Sequence, residues 1–245
     1  MPAQSQAIVV GVGSEHGLGA ALARRFARQG HHVIVSGRTP ARLEKVVSTI
    51  VESGGQADLF VGDATVEKDV IALFDYATQP SDKSLDLVVF NAGNNVRQDL
   101  RNMPAELFES TWRVATFAGF LVGREAARRL APQGRGTIIF TGATASLRGK
   151  PPFTAFAAAK AGLRSLSQSM AREFGPLGIH VAHVVIDGGI DGERLNTSAP
   201  QRKISAGDDG LLNIDAIADA YWHIHSQHRS AWTQELDLRP FKESF

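Results

Sequence analysis

A glycine-rich turn, set between an apolar run and a helix-forming stretch, constrains the fold of this chain more than any other feature. The run Ala7–Val10 is typical of a buried strand. Four glycines follow it, namely Gly11, Gly13, Gly17 and Gly19. A helix is predicted over 17–29 and a second strand over 33–36, which completes one βαβ unit. Because glycine has no Cβ, such a turn lets a pyrophosphate approach the amides at a helix N-terminus.

Strand and helix patterns alternate along the whole chain. Strands are predicted at 7–10, 33–36, 58–61, 86–90, 136–141, 179–186 and 231–237. Helices are predicted at 17–29, 40–53, 67–78, 104–130, 153–174 and 214–226. This alternation predicts a single Rossmann-type, doubly wound α/β domain over 1–245, with a parallel sheet of about seven strands and helices on both faces. The polar segment 188–210 is predicted to be a long loop that acts as a lid over the substrate.

Composition and charge limit the classes of binding partner and the cellular compartment that we expect for this chain. The formal net charge is +1 with mixed signs, which argues against nucleic acid or an anionic membrane as the main partner. No run of 18 apolar residues is present, and the N-terminus lacks the pattern of a signal segment. We therefore expect a cytoplasmic protein. The chain contains no cysteine, which excludes disulfides and thiol catalysis.

Three ordered motifs resemble those of the short-chain dehydrogenase/reductase family, and the resemblance covers nearly the whole chain. The family's Thr-Gly-x-x-x-Gly-x-Gly turn matches 12–19, with Val12 in place of Thr. Its Asp after the third strand matches Asp63, and its Asn-Ala-Gly after the fourth matches 91–93. The resemblance implies cofactor contacts from Gly13, Gly17, Leu18, Gly19, Asp63, Ala64, Asn91, Ala92, Gly93, Lys160, Gly188 and Ile190.

The end of the second strand indicates which nicotinamide cofactor is preferred. An acidic residue there would accept the ribose hydroxyls of NAD and repel a 2′-phosphate. This chain has Gly37 at that position, followed by Arg38, whose guanidinium can pair with a phosphate. NADP is therefore the predicted cofactor. Arg42 either assists Arg38 or is an ordinary solvent-exposed side chain.

The catalytic positions implied by the resemblance depart from the family pattern. The family's lysine matches Lys160, and its role here is expected to be contact with the nicotinamide ribose. The proton-donating tyrosine, four residues earlier, is replaced by Phe156. The serine position holds Ala143, and the asparagine position on the preceding long helix holds Thr116. Because general acid catalysis contributes about 10²–10⁴-fold in rate, ordinary carbonyl reduction is in doubt.

Several residues are candidates to replace the missing acid. Thr144 lies beside the serine position, and Arg148 and Lys150 are placed to meet an anionic substrate. A carboxyl group in an apolar pocket can have a raised pKa and serve as an acid. Asp187, Asp191 and Glu193 are therefore candidates, and the alternative for each is a loop carboxylate that faces water. Alternatively, a flat iminium substrate against Phe153 and Phe156 would need no acid. His183 is predicted to be a buried strand residue.

Two functions remain open from the sequence. The first is an atypical NADP(H)-dependent oxidoreductase acting on an unknown small molecule, and the second is a catalytically silent NADP(H)-binding protein that serves as a sensor, partner subunit or ligand carrier.

Small residues on the helices at 104–130 and 153–174 permit close packing, and the resemblance implies a homodimer or homotetramer through them. The histidines at 223, 225 and 228 have no acidic or cysteine partner at ligand spacing, so no metal site is predicted.

Overall fold

A parallel sheet of seven strands runs through the centre of the computed structural model, which describes residues 4–79 and 82–243. Its first six strands are β1 (Gln4–Val10), β2 (His32–Gly37), β3 (Gln56–Val61), β4 (Lys83–Phe90), β5 (Gly136–Thr141) and β6 (Ile179–Ile186). Two short strands, β7 (Ile190–Asp191) and β8 (Leu212–Asn213), pair separately, and β9 (Glu235–Leu238) completes the main sheet.

The strand order in the main sheet is β3-β2-β1-β4-β5-β6-β9, and every pairing is parallel. The predicted Rossmann-type α/β fold is confirmed. The predicted span 1–245 also includes 1–3, 80–81 and 244–245, which lie outside the described residues.

Helices cover both faces of this sheet. They are α1 (Leu18–Ala27), α2 (Pro40–Glu52), α3 (Glu67–Ala77), α4 (Ala105–Trp112), α5 (Ala118–Leu130), α6 (Thr154–Phe174), α7 (Glu193–Ser198), α8 (Pro200–Ala206) and α9 (Ile214–His225). The helix predicted over 104–130 is continuous in direction, but a π-helical turn at Arg113–Phe117 separates α4 from α5. Such turns often mark functional sites. None of the helices in 4–79 and 82–243 is long and apolar enough to cross a membrane.

The core consists of two apolar layers, one on each face of the sheet. Successive residues of β1 alternate between them: Ala7 and Val9 belong to the layer under α1, α2 and α9, whereas Ile8 and Val10 belong to the layer under α3, α5 and α6. Because both faces are covered, the strands are apolar on both sides. This explains why the sequence shows continuous apolar runs rather than alternation.

The segment 188–210 is more ordered than the predicted long loop, so that prediction is corrected. It contains β7, which pairs in parallel with β8, and the two short helices α7 and α8. Helices of six and seven residues present too few turns for an apolar period to be recognised in a polar stretch. We refer to 190–206 as the lid segment.

Candidate cofactor and active site

The glycine turn at the carboxyl end of β1 combines tight contacts with one open position. Gly11 has a φ of +89°, and a Cβ there would lie 2.4 Å from the backbone nitrogen of Ala92. A Cβ at Gly19 would lie 3.2 Å from the side-chain nitrogen of Asn91. At Gly13, in contrast, a Cβ would have no atom of the described residues within 4 Å. The turn therefore presents bare backbone to an open space, as a phosphate site requires.

Asn91 joins the ends of two neighbouring strands beneath this turn. Its backbone N–H donates to Val10 O at 2.8 Å, and its side-chain Nδ2 donates to Gly11 O at 3.2 Å. These bonds hold the segment 91–93 against the glycine turn. A side chain at Gly93 would come within 3.2 Å of Lys160 Nζ, so this glycine leaves room for the lysine.

Lys160 is almost completely buried at the centre of the site, with 4% of its surface exposed. Helix α6 carries it to the end of β5, where Nζ donates to Thr141 O at 2.7 Å. Burial lowers the pKa of Lys160 to about 8, because desolvation disfavours the charged amine. The amine thus has one backbone partner and further donor capacity toward a ligand.

Gly37 and Arg38 stand at the end of β2 as the sequence indicates. A Cβ at Gly37 would lie 2.4 Å from Val12 O, so no acidic side chain can occupy this position without moving the glycine turn. The Arg38 side chain is 75% exposed, and its Nη1 lies 4.0 Å from Asp63 Oδ2. This geometry leaves a guanidinium, and no carboxylate, at the position that distinguishes the two nicotinamide cofactors.

Asp63 lies after β3, next to Arg38. Its Oδ1 accepts hydrogen bonds from the Thr65 backbone N–H at 2.9 Å and from the Thr65 hydroxyl at 2.8 Å. Burial raises the pKa of Asp63, but these bonds and the charge of Arg38 outweigh it, so the pKa lies below its usual value. Ala64 follows directly and packs partly against the core.

The three altered catalytic positions come together around Lys160. The Phe156 ring centroid lies 6.0 Å from Lys160 Nζ, so an apolar ring stands beside the ammonium. Ala143 follows β5 in extended conformation and carries no hydroxyl. Thr116, in the π-helical turn, donates its hydroxyl to Ala159 O at 2.7 Å and thereby links that turn to α6.

Neither tyrosine replaces the missing hydroxyl. Tyr76 donates to Asp58 Oδ2 at 3.1 Å, away from Lys160 on the outer part of the sheet. Tyr221 is fully buried on α9, in the layer opposite α6, and its hydroxyl lies 2.8 Å from Thr141 Oγ1. Thr141 therefore contacts Tyr221 through its side-chain hydroxyl and Lys160 through its backbone carbonyl oxygen. The sheet lies between Tyr221 and Lys160.

Asp187 is buried in an ion-pair cluster. It lies neither in an apolar pocket nor on a loop facing water, the two alternatives that the sequence left open. It is 0% exposed, and Thr144 Oγ1 donates to its Oδ1 at 2.5 Å. Arg239 Nη2 lies 3.0 Å and Arg148 Nη2 3.4 Å from Oδ2. Asp187 and Arg239 directly follow the paired residues Ile186 and Leu238. The Thr144 proton is thus directed to Asp187 and away from a substrate oxygen.

The lid segment rests across the glycine turn. The Glu193 backbone N–H donates to His16 O at 2.9 Å, while its side chain is exposed. Arg194 Nη2 donates to Asn94 Oδ1 at 3.0 Å. Asp191 is not directed at the site as an acid, because its Oδ1 accepts from Lys203 at 2.8 Å and from Asn196 at 2.9 Å.

Gly188 and Ile190 connect β6 to the lid segment. A Cβ at Gly188 would lie 2.7 Å from Pro240 Cδ, and half-buried Ile190 pairs with Leu212. His183, further back in β6, is 0% exposed and is a buried strand residue as predicted. Its Nδ1 lies 3.1 Å from Glu235 Oε2, and burial lowers its pKa to about 4.

Comparison with known proteins gives matches over most of the chain. A family model described as short chain dehydrogenase matches residues 6–203. Versicolorin reductase 1 of Dothistroma septosporum is 30% identical over 211 residues, which is 86% of this chain and 78% of the relative. A short-chain dehydrogenase from Rhodopseudomonas palustris is 37% identical, with a TM-score of 0.82 and coverage of 97% and 99% of the two chains.

A metagenomic short-chain oxidoreductase solved in complex with NADP is also similar. It is 25% identical, with a TM-score of 0.82 and coverage of 97% of this chain and 96% of that one. The sequence motifs, the order of the strands and these matches all agree with one another.

Proposed function

The chain belongs to the short-chain dehydrogenase family, and we propose that it is an NADP(H)-binding oxidoreductase whose active site works without the tyrosine and serine hydroxyls. One observation carries this proposal. Lys160 is retained, buried and beside the 91–93 segment, whereas the group 6.0 Å from its ammonium is the ring of Phe156. The machinery for holding a nucleotide is present, and the usual proton donor is absent.

The residues at the sheet edge fit a dinucleotide with a 2′-phosphate. Gly13 offers open backbone for the pyrophosphate, and Lys160 has donors for the nicotinamide ribose. Arg38 is exposed for the 2′-phosphate, and the contact between Gly37 and Val12 O leaves no room for a carboxylate that would favour NAD. When bound, NADPH supplies a hydride, and the protein supplies orientation and electrostatics.

The surroundings of the two phenylalanines favour a neutral or anionic substrate over a cationic iminium. Arg97 lies over the Phe153 ring at 5.4 Å, and Lys160 stands near Phe156. These positive charges already occupy the aromatic faces and would repel a cation. A flat, largely apolar acceptor therefore suits the pocket, and this revises the iminium interpretation.

We propose that water, rather than Thr144 or Asp187, supplies the proton. Thr144 donates to Asp187, and Asp187 is held by Arg148 and Arg239, so neither is directed at a substrate. An active site of this kind would reduce carbonyls about 10²–10⁴-fold more slowly than one with a tyrosine. Phe156 instead contributes orientation by covering one face of the substrate with apolar surface.

The first test is titration calorimetry of NADPH and NADH with wild type and with Arg38→Ala. We expect NADPH to bind more tightly than NADH, and we expect Arg38→Ala to remove most of this difference, because the guanidinium pairs with the 2′-phosphate. Arg28→Ala, which removes an exposed guanidinium at the carboxyl end of α1, is the matched control. The proposal would be overturned if neither NADPH nor NADH bound to wild type.

The second test separates an atypical enzyme from a silent nucleotide-binding protein. Wild type, Phe156→Tyr/Ala143→Ser, and the control Phe153→Tyr are each screened for NADPH oxidation with aromatic ketones, quinones and enones. Turnover by wild type supports the oxidoreductase. Binding of NADPH with turnover by the double variant alone would favour the silent protein.

A further inference from the structure

A second cluster of ligand-type side chains lies at the opposite edge of the sheet, near the amino ends of the strands. His31 precedes β2, Asp86 belongs to the first half of β4, and His225 ends α9. One ligand atom from each lies within 4.8 Å of the other two. The cluster combines residues 55 and 139 positions apart in the chain, so it was not visible in the sequence.

We propose that His31, Asp86 and His225 form a binding site for a divalent metal ion of the zinc type. Two imidazoles and one carboxylate are the donors that zinc combines when three protein groups hold it and a fourth position stays open. Zinc bonds of about 2.0–2.1 Å would place tetrahedral ligand atoms about 3.4 Å apart. Binding of zinc therefore requires the ligand atoms, now within 4.8 Å of one another, to approach by up to about 1.4 Å.

The hydrogen bonds around the cluster assign the ligand atoms. His225 Nδ1 lies 2.9 Å from Thr137 Oγ1, which orients the ring and leaves Nε2 for the metal. His31 Nε2 lies 3.1 Å from Asp86 Oδ1, so a metal ion would replace the proton that these two atoms share. Asp86 also accepts a hydrogen bond from the Ser5 side chain. His225 and Asp86 are thus oriented by contacts of the kind that metal sites commonly use.

His31 also carries an unexplained polar atom. The residue is 4% exposed, and its Nδ1 has no hydrogen-bond partner within the described part of the chain. Its ring centroid lies 5.3 Å from that of His225 and 5.8 Å from that of Trp222, and the last two are 5.5 Å apart. A neutral imidazole has a nitrogen lone pair to offer, so two such rings side by side can share one metal ion.

An open cleft gives access to the site. It has a volume of about 300 Å³ and is lined by Asp86, Thr137 and His225 together with Arg135, Arg229 and Trp232. The fourth coordination position can therefore hold water or a small anion, which the two arginines would favour. The bound ion would connect β2, β4 and α9, so it would stabilise the folded chain over the unfolded one.

The test is calorimetric titration of Zn²⁺ into the full chain, with any purification tag removed and after dialysis against EDTA. We expect one ion per chain and a higher melting temperature in Zn²⁺. Asp86→Asn and His225→Asn should each weaken binding at least tenfold, while His223→Ala, which changes an exposed histidine on the same helix, should leave it unchanged. Loss of binding in His223→Ala with retention in His225→Asn would overturn the proposal.

Anomalous X-ray diffraction from Zn²⁺-soaked wild type keeps the proposal testable if a variant does not fold. The expected result is a peak with nitrogen ligands from His31 and His225 at about 2.0–2.1 Å. Zinc found only on His223 or His228, or no zinc at one equivalent, would show that the cluster is only a hydrogen-bonded network.

Discussion

Two glycines near the cofactor space differ in what surrounds them, and this difference makes a matched pair of variants. A methyl at Gly13 meets nothing within 4 Å among the described residues, whereas a methyl at Gly37 would lie 2.4 Å from Val12 O. Gly13→Ala should keep the wild-type free energy of unfolding and weaken NADPH binding about tenfold or more, since it places a methyl where the pyrophosphate approaches. Urea unfolding and calorimetry measure the two quantities.

Gly37→Ala should differ from Gly13→Ala by lowering stability, because its methyl displaces the backbone of the glycine turn at Val12. The displaced backbone should cost about 1–3 kcal/mol of stability, as overpacked sites do. A Gly13→Ala protein that is destabilised but binds NADPH normally would contradict the interpretation of the open space at Gly13.

His183 makes stability depend on pH. Burial lowers its pKa to about 4, although Glu235 raises it, and Lys160 and Arg164 add to the lowering. Between pH 4 and about 6.5 the unfolded chain therefore binds a proton that the folded chain does not, so stability rises with pH across this window. His183→Asn retains a donor toward Glu235 and removes the titration.

The free energy of unfolding of wild type minus that of His183→Asn should fall as the pH drops from about 6.5 to 4, by at most about 1.4 kcal/mol per pH unit. Chemical unfolding at several pH values measures it. A difference that stays constant from pH 4 to 6.5 would mean that His183 is protonated in the folded chain.

At the scale of secondary-structure elements, Asp191 connects the three elements of the lid segment to one another. Asp191 joins β7 to α8 through Lys203 and to α7 through Asn196. Asp191→Asn should therefore loosen α7 and α8 with little effect on the melting temperature, because low-stability elements open independently of the core. Limited proteolysis should show faster cleavage within 193–206. Asp99→Asn, which breaks an exposed ion pair with Arg101, is the control and should not change cleavage there.

The strands show what a local pattern can and cannot predict. Apolar runs identified the buried centres, for example Ala7–Val10, but β1 begins three residues earlier at Gln4. The extension is polar and is stabilised by pairing with β4, where Gln4 meets Lys83 and Gln6 meets Leu85. Such pairing depends on a distant segment, so it leaves no periodic signal in the strand itself.

At the scale of the whole molecule, α4, α5 and the π-helical turn expose an aromatic strip. It consists of Phe108, Trp112 and Phe120, which are 38–40% exposed, together with Phe117, whose ring lies 6.0 Å from that of Trp112. Exposed apolar patches mark interaction sites. We expect this strip to contribute to a homo-oligomer, and we expect Phe120→Glu to shift the chain to a smaller species.

Size-exclusion chromatography with light scattering measures the shift. Val51→Glu places the same charge on an apolar position of α2 that is still more exposed, at 53% against 40% for Phe120, and should leave the assembly unchanged. A monomeric wild type, or dissociation by Val51→Glu alone, would contradict a role for the strip.

The residues expected on the cofactor side come together in the structure, because a parallel sheet brings the residues after each strand to one edge. Gly13 could be located from the apolar run before it, and Asp63 and Asn91 could be located through the family resemblance. The partners of Asp187 could not, since Arg148 and Arg239 lie 39 and 52 residues away and only the pairing of β6 with β9 brings Arg239 there. Charge pairs between distant segments can be predicted only after the order of the strands in the sheet is known.

Strand β4 carries Asp86 within it and is followed by Asn91, five residues further on. At a strand rise of about 3.3 Å per residue, roughly 16 Å of backbone separates the two. Substitutions this far apart, without shared partners, contribute additively to free energy. Mutations in the cluster of His31, Asp86 and His225 and mutations in the glycine turn can therefore accumulate independently. Either edge of the sheet can diverge, or be engineered, without disturbing the other.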